Sequence, residues 1–594
     1  MSMRLLMGNQ AMALGALHAG VTVACGYPGT PSTEVLETIA KERDQDVYIE
    51  WSINEKAALE VAAGAAYAGC RTIVTMKQVG LNVATDPLMS LSYIGIKGGM
   101  VILVADDPGP ISSQTEQDTR TFAKYSKLPI FDPSSPEEAF EMMTAAFELS
   151  EKYKTPVLFR PTTRVCHAYA SIDVPDERIK VTPEGFVKDP KWVIFPKLSY
   201  GAHLNIEKRN PEIGRLFSKM SFNAIEGVGK KGIAVGGVSY AYVKEALSIL
   251  GAECKLLKVG TPYPFPEDLA CDFLDGLDEV LVIEELDYVI EQDLIFLCGK
   301  KKIQTEILGK LTGHVQMAGE NTVETAFAQI AKFLNIEIDA KSAATKPPLP
   351  IRPPVLCAGC PHRASFYAVK KAMKNKKAIF CGDIGCYTLG NAMPLDMVDT
   401  CLCMGAGVTI AQGLSHAQPD TTCFAFIGDS TFFHTGIAGA VNAVYNNANI
   451  VIVVLDNSTT AMTGHQPHPG TGKRLMGDMG TKLSIDEILK ALGVHVQIVN
   501  PLELDNAAKA VESAVSEGGV QAIIFKSPCI AVVPKNKPVT IDTEKCILCS
   551  RCINELGCPA LIREGKQVAI DASQCNGCGL CIQICPADAI ACCC

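Results

Sequence analysis

Residues 424–464 read FAFIGDSTFFHTGIAGAVNAVYNNANIVIVVLDNSTTAMTG. The apolar run at 424–427 predicts a strand that delivers Gly428, Asp429 and Ser430. A helix of small residues follows, and the run at 450–455 predicts a second strand that delivers Asp456, Asn457, Ser458 and Thr459. Two strands joined through one helix lie parallel, so both end on the same side of the sheet. Asp429 and the 457–459 segment are therefore expected to meet at the carboxyl edge, where such sheets bind ligands.

That edge is rich in oxygen. One carboxylate (Asp429), one amide oxygen (Asn457) and a backbone carbonyl near Thr459 suit Mg2+, a hard cation that takes few protein ligands and completes its shell with water and phosphate. A GDG-type turn followed across one helix by an Asn resembles the diphosphate-binding motif of thiamine diphosphate enzymes, with Ser430 in the place usually held by Gly. Ser keeps the side chain small and adds a hydroxyl. The resemblance implies cofactor contacts from Gly428, Asp429, Ser430, Asn457, Thr459 and His362, with Asp429, Asn457 and Thr459 on the metal. Standing alone, the motif equally fits a β-α-β crossover with polar strand ends.

With 594 residues the chain exceeds one core, and at about 150 residues per domain roughly four domains are expected. A net charge of −10 without a long basic run argues against nucleic acid as partner. No apolar stretch approaches the roughly 18 residues of a membrane span. The start, MSMRLLMGNQAMALGALHAG, reads as an amphipathic helix rather than a leader, so a soluble cytoplasmic protein is expected. Eleven of the 25 cysteines lie from Cys546 onward, which favours metal ligands over disulfides.

Residues 1–185 repeat a strand-helix pattern (VTVACGYPG, VYIEW, RTIVTMK, GMVILVADDPG), which implies a parallel sheet covered on both faces. The turn 26–32, GYPGTPS, leads from a strand end into a helix. Glu55 opens the small-residue helix NEKAALEVAAGAAYAGC, and Ser52-Ile53-Asn54-Glu55 matches a capping box, so Glu55 can be read as a cap. This helix and the upstream YPGTPS also resemble the pyrimidine-binding domain of the 2-oxoacid:ferredoxin oxidoreductases. That resemblance implies that Glu55 is catalytic, bonded to the cofactor's aminopyrimidine ring, and that Thr30 and Arg120 face the substrate. An Arg suits the two-point grip of a carboxylate, although a structural arginine fits the same position. The stretch 112–135 reads as a polar loop.

Residues 186–345 repeat the strand-helix pattern without reactive groups and resemble the family's transketolase C-terminal-like domain. A linker, AKSAATKPPLPIRPP, follows. The next domain, 350–533, carries Cys357-Ala-Gly-Cys360-Pro-His362-Arg363, then Cys386 in GDIGC and Cys529 in SPC. A CxxC pair serves redox, zinc or cluster chemistry. In the oxidoreductases that this domain resembles, cysteines in these contexts hold a 4Fe-4S cluster beside the cofactor, which implies a proximal cluster at Cys357, Cys360, Cys386 and Cys529; reduced structural thiols are the alternative. Cys381, Cys401, Cys403 and Cys423 have no such context and read as small buried apolar groups. His434 and His465 are the histidines to test beside the substrate.

Residues 538–594 hold the most specific spacing. Cys546-x2-Cys549-x2-Cys552-x5-Cys558-Pro is followed by Cys575-x2-Cys578-x2-Cys581-x3-Cys585-Pro. The second run is the bacterial ferredoxin pattern, in which the fourth cysteine crosses to the other cluster. One 4Fe-4S cluster is thus expected on Cys546, Cys549, Cys552 and Cys585, and the other on Cys575, Cys578, Cys581 and Cys558. Zinc fits two tandem three-cysteine runs poorly.

The expected fold class is multi-domain α/β: two thiamine-binding parallel-sheet domains, a transketolase C-terminal-like domain and an α+β ferredoxin-like domain. Over nearly its full length the chain resembles the large, alpha subunits of the indolepyruvate:ferredoxin oxidoreductases, through CAGCPHR, GDIGCYTLG and LDNSTTAMTGHQPHPGTG. The resemblance implies oxidative decarboxylation of arylpyruvates with coenzyme A, reduction of ferredoxin, and a smaller beta subunit in an α2β2 assembly. Thiamine diphosphate, Mg2+ and three 4Fe-4S clusters would be the cofactors. Two other readings stay open: the same chemistry on pyruvate or a branched 2-oxoacid, or an electron-transfer subunit without thiamine catalysis.

Overall fold

Apolar strands alternating with helices build the first sheet, six parallel strands in the order Tyr48–Trp51, Val23–Gly26, Thr72–Lys77, Met100–Ala105, Val157–Phe159, Ile130–Phe131. The computed structural model of the chain describes residues 2–337 and 349–592. The chain divides into two units, Met1–Lys346 and Pro347–Cys594. Within the first unit a second sheet runs Glu306–Leu308, Glu279–Ile283, Lys231–Gly236, Lys255–Val259 and Asn223–Glu226, the last strand antiparallel. The two sheets of this unit meet through backbone bonds from Ile130 N to Tyr263 O and from Asp132 N to Gly260 O.

Three local expectations are corrected here. Residues Ser2–Met7 form a strand paired with Tyr169–Val174, and the first helix begins only at Gly8. That helix is buried on nearly all sides, not amphipathic, and at Gly8 a Cβ would strike the Val165 carbonyl at 1.9 Å. The polar stretch 112–135 is not all loop: Thr119–Ser126 is a helix and Ile130–Phe131 a strand. The helix Glu55–Tyr67 is capped by Asn54, whose side chain accepts from Ala57 N, while Ser52 bonds Glu50 instead. Asn54 wins because its short amide reaches the third helical N–H from the position directly before Glu55.

The second unit holds a five-stranded parallel sheet in the order Ala378–Cys381, Thr422–Gly428, Ile450–Asp456, Val520–Lys526, His495–Val499. The cysteine-rich end adds two antiparallel pairs, Val539–Ile541 with Ile590–Cys592 and Leu561–Glu564 with Gln567–Ile570. One apolar cluster runs through both parts, joining Phe366, Phe426 and Phe525 to Leu556, Leu580 and Ile584. The linker expected at 340–354 lies mostly outside the described residues, as do Cys593 and Cys594. Among the described residues no helix is long and apolar enough to cross a membrane.

Candidate functional site

The strand Thr422–Gly428 ends directly on Asp429, and Ile450–Asp456 ends on Asn457. Ser458 turns back with a φ of 60°, and its N–H donates to Asp429 Oδ2 at 2.7 Å while Ser430 N donates to Oδ1 at 2.8 Å. The carboxylate and the 457–459 segment are thereby locked together, and Asp429, Asn457 and Thr459 are all buried. Ser430 accepts a 3.0 Å bond from the Thr460 hydroxyl. Gly428 is required by its neighbour: a Cβ there would lie 2.5 Å from the Tyr387 ring. The Tyr387 hydroxyl is in turn fixed by Asp383, the Ile384 carbonyl and Thr431.

Asn457 is oriented from behind. Its Nδ2 lies 3.2 Å from His362 Nε2, and burial holds His362 down at about 4, so the imidazole is neutral near pH 7 and accepts from the amide. The amide oxygen then faces the other way, where Thr459 N donates to it at 3.2 Å and a lone pair remains for a cation. His468 Nε2 lies 3.1 Å from Asp429 Oδ2 yet finds no hydrogen-bond partner. The ring is fixed by Gly470 N, which donates to its Nδ1 at 3.2 Å, so Nε2 carries the proton beside the Asp429 carboxylate. His468 was passed over in the sequence because nothing local ties it to Asp429. His434 is buried in the π-helical turn Phe432–Gly436, its Nδ1 3.4 Å from Thr435 Oγ1, and His465 is exposed with a φ of 67°.

Electrostatic contacts link the candidate cluster cysteines to one another. Burial pushes Cys360 up to about 12 and Cys386 up to about 11, with Cys357 adding to both and Cys529 to Cys386. Cys529 is raised by burial and then by Cys357 and Asp429, so this quartet borders the oxygen site. Cys552 is raised by burial, Cys549 and Cys585. Cys578 is raised by burial, Cys558 and Cys575, and Cys581 reaches about 12 for the same reasons with Cys578 added. Cys546 heads the same loop as Cys549, its N–H on the Asp542 carbonyl. A cavity is lined by Cys558, Cys575, Cys578 and Cys581, with Cys360 and Arg363 on its wall. Among the described residues no three His, Cys or carboxylate groups close on one point. Cys381 and Cys423 are buried as expected of small apolar groups, but Cys401 and Cys403 are exposed.

In the first unit Glu55 is buried at the first turn of its helix, and Gly80 packs so closely that a Cβ there would lie 2.5 Å from Glu55 Oε1. The Thr30 carbonyl accepts from the Ser112 hydroxyl at 3.3 Å. Arg120 departs from its expected place. Only 1% exposed, it bonds Asp118, Glu284 Oε2 at 2.8 Å and the carbonyls of Glu285 and Asp287. Its fork is consumed by buried acceptors, and it fastens the first sheet to the second rather than meeting a ligand.

Three domain families match the chain: pyruvate flavodoxin/ferredoxin oxidoreductase, thiamine diP-binding, over residues 14–198; thiamine pyrophosphate enzyme, C-terminal TPP binding domain, over 383–525; and the 4Fe-4S dicluster domain over 538–586. The chain is 42% identical to the indolepyruvate oxidoreductase subunit IorA of Methanothermobacter thermautotrophicus, over 98% of this chain and 96% of that one. It is 43% identical to the protein of the same name from Thermococcus kodakarensis, over 93% and 91%. Among solved structures it is similar to a 2-oxoglutarate:ferredoxin oxidoreductase from Magnetococcus marinus at 17% identity, covering 56% of this chain and 65% of that one with a TM-score of 0.46.

Proposed function

Because the chain belongs to the family of indolepyruvate oxidoreductase subunit IorA, we propose that it oxidatively decarboxylates arylpyruvates (indolepyruvate, phenylpyruvate, 4-hydroxyphenylpyruvate) with coenzyme A to arylacetyl-coenzyme A and carbon dioxide. Two electrons per turnover pass to ferredoxin. The family is one of 2-oxoacid:ferredoxin oxidoreductases that use thiamine diphosphate and iron–sulfur clusters. Bound thiamine diphosphate supplies the carbon nucleophile and electron sink that no side chain offers.

The chain's own residues have separable parts in this reading. Asp429, Asn457 and the Thr459 carbonyl would hold Mg2+ for the diphosphate, and neutral His362, bonded to the Asn457 amide nitrogen, would leave the amide oxygen for that part. Glu55, buried in its own domain, holds the aminopyrimidine. The quartet Cys357, Cys360, Cys386 and Cys529 takes a proximal 4Fe-4S cluster, and the two ferredoxin-like sets take one each. The observation that carries the reading is the lock of Ser458 N on Asp429 within a domain that shares its core with the cysteine-rich end. A smaller beta subunit completes the enzyme as an α2β2 assembly; a homogeneous active particle of this chain alone in mass photometry would refute that.

The test is anaerobic viologen reduction by the chain co-purified with its partner, with Mg2+, thiamine diphosphate and coenzyme A, comparing indolepyruvate with pyruvate. Rapid reduction with indolepyruvate alone is expected. Activity with pyruvate alone would discard the aryl substrates and keep the chemistry, and no activity with any 2-oxoacid would leave an electron-transfer subunit.

A further inference from the structure

Lys77 ends the strand Thr72–Lys77, level with Ala105 and one step before the acidic pair Asp106-Asp107. Its stem packs on the GYPGTPS turn, since a Cβ on Gly29 would lie 3.2 Å from its Cγ and 3.3 Å from its Cδ. The next residue begins the short helix whose Gly80 abuts Glu55. Lys77 therefore stands at the carboxyl edge of a parallel sheet, between the Thr30 turn and Glu55, where such sheets take their ligands.

Its surroundings leave the ammonium available. Asp107 is an electrostatic neighbour, as is Glu55, but the Asp107 oxygens are already taken by Ser112 N, Ser113 N and the Thr163 hydroxyl. Nearby Arg160 is paired with Asp106 and Asp132, and Arg120 with Asp118 and Glu284. Among the described residues the Lys77 side chain makes neither a hydrogen bond nor an ion pair, although it is half-buried. Burial also holds its amine below the ordinary lysine value, as expected of a cation short of partners.

Resting on the 2-oxoacid reading above, we propose that the Lys77 ammonium holds the carboxylate of the 2-oxoacid, the part expected of Arg120. A 2-oxoacid brings one compact anion, and a desolvated ammonium binds such an anion by charge-assisted hydrogen bonds. The diphosphate has its own holder in the Asp429 motif.

The test uses the holoenzyme with its partner subunit and the variants Lys77→Met and Lys77→Arg. It reads KM for indolepyruvate and pyruvate, KM for coenzyme A, and bound thiamine diphosphate. Lys77→Met is expected to raise the 2-oxoacid KM about 10- to 100-fold, the loss of one charge-assisted contact, with coenzyme A KM and thiamine content unchanged; Lys77→Arg restores most of it. If Lys77→Met does not fold, Lys77→Gln serves in its place. An unchanged 2-oxoacid KM overturns the proposal, and so does a rise in the coenzyme A KM or a loss of thiamine instead. Wild-type enzyme that turns over no 2-oxoacid fails at the control, which removes the functional reading and this proposal together and is thereby told apart from failure of Lys77 alone.

Discussion

Arg363 Nη1 donates to the carbonyl of Leu556 at 2.6 Å, across 193 residues of chain. The same guanidinium also bonds the carbonyls of Gly557 and Leu356, so the helix that follows the Cys357-Cys360 pair is tied directly to the loop that leads into Cys558. Arg363→Met leaves three acceptors without a donor. Since a hydrogen bond to a charged group contributes about 1.5–3 kcal/mol, a destabilisation on the order of 3 kcal/mol is expected. Denaturant unfolding and iron content after gel filtration measure it, and iron retained at the wild-type level with unchanged stability would contradict it.

Gly80 offers a test of Glu55 that leaves the carboxyl in place. Glu55→Gln should abolish turnover with iron content intact. Gly80→Ala, whose new methyl meets Glu55 Oε1 at 2.5 Å, should lower kcat on the order of 10- to 100-fold, the scale of a displacement near 1 Å. Equal kcat in Gly80→Ala and wild type would return Glu55 to the part of a helix-end residue.

His468, held by Gly470 N at its Nδ1, places its Nε2 3.1 Å from Asp429 Oδ2. His468→Ala is expected to weaken Mg2+-dependent retention of thiamine diphosphate about 10- to 100-fold, the usual scale for a group behind a metal ligand, and Asp429→Ala to weaken it further. A Mg2+ titration followed by thiamine fluorescence distinguishes this from an unchanged affinity.

Glu285 gives a pH dependence with a definite sign. Burial raises its carboxyl to about 7 from 4.5, opposed by the Asn321 N–H and Arg160. The folded chain therefore binds more protons than the unfolded chain between these values, and stability falls as pH rises from about 4.5 to 7. Glu285→Gln keeps the acceptor for Asn321 N and removes the buried charge. It should raise the thermal midpoint by a few degrees at pH 8 and leave it unchanged near pH 4. Scanning calorimetry at the two pH values decides it; a gain that is equal at both would contradict the linkage.

Asp429 and Asn457 were legible in the sequence because strand, turn and ligand are contiguous, so the period of the apolar residues places them without knowledge of anything distant. The cysteine runs were legible for the same reason, as spacing is the signal. Arg120 was not, because Glu284 lies 164 residues away and a guanidinium committed inside the fold looks in sequence like one that awaits a substrate. Lys77 escaped notice for the complementary reason: its interest lies in contacts it does not make, and no motif records those. The strand at Ser2–Met7 was missed because its edge pairing with Tyr169–Val174 depends on residues far along the chain, while its neighbours are strong helix formers.

The apolar cluster that passes from Phe426 to Leu580 has a consequence for how this protein fails in air. A ferredoxin-like appendage on a loose tether could lose its iron and leave the rest of the molecule intact. Here the wall behind Cys575 and Cys581 is also the wall behind Leu356 and Phe366, with Cys360 packed against it, so oxidative damage at the C-terminal end would undermine the ground on which Cys360 stands. Oxygen damage would then proceed as one cooperative collapse of the second unit, in which the electron exit and the cofactor grip are lost together.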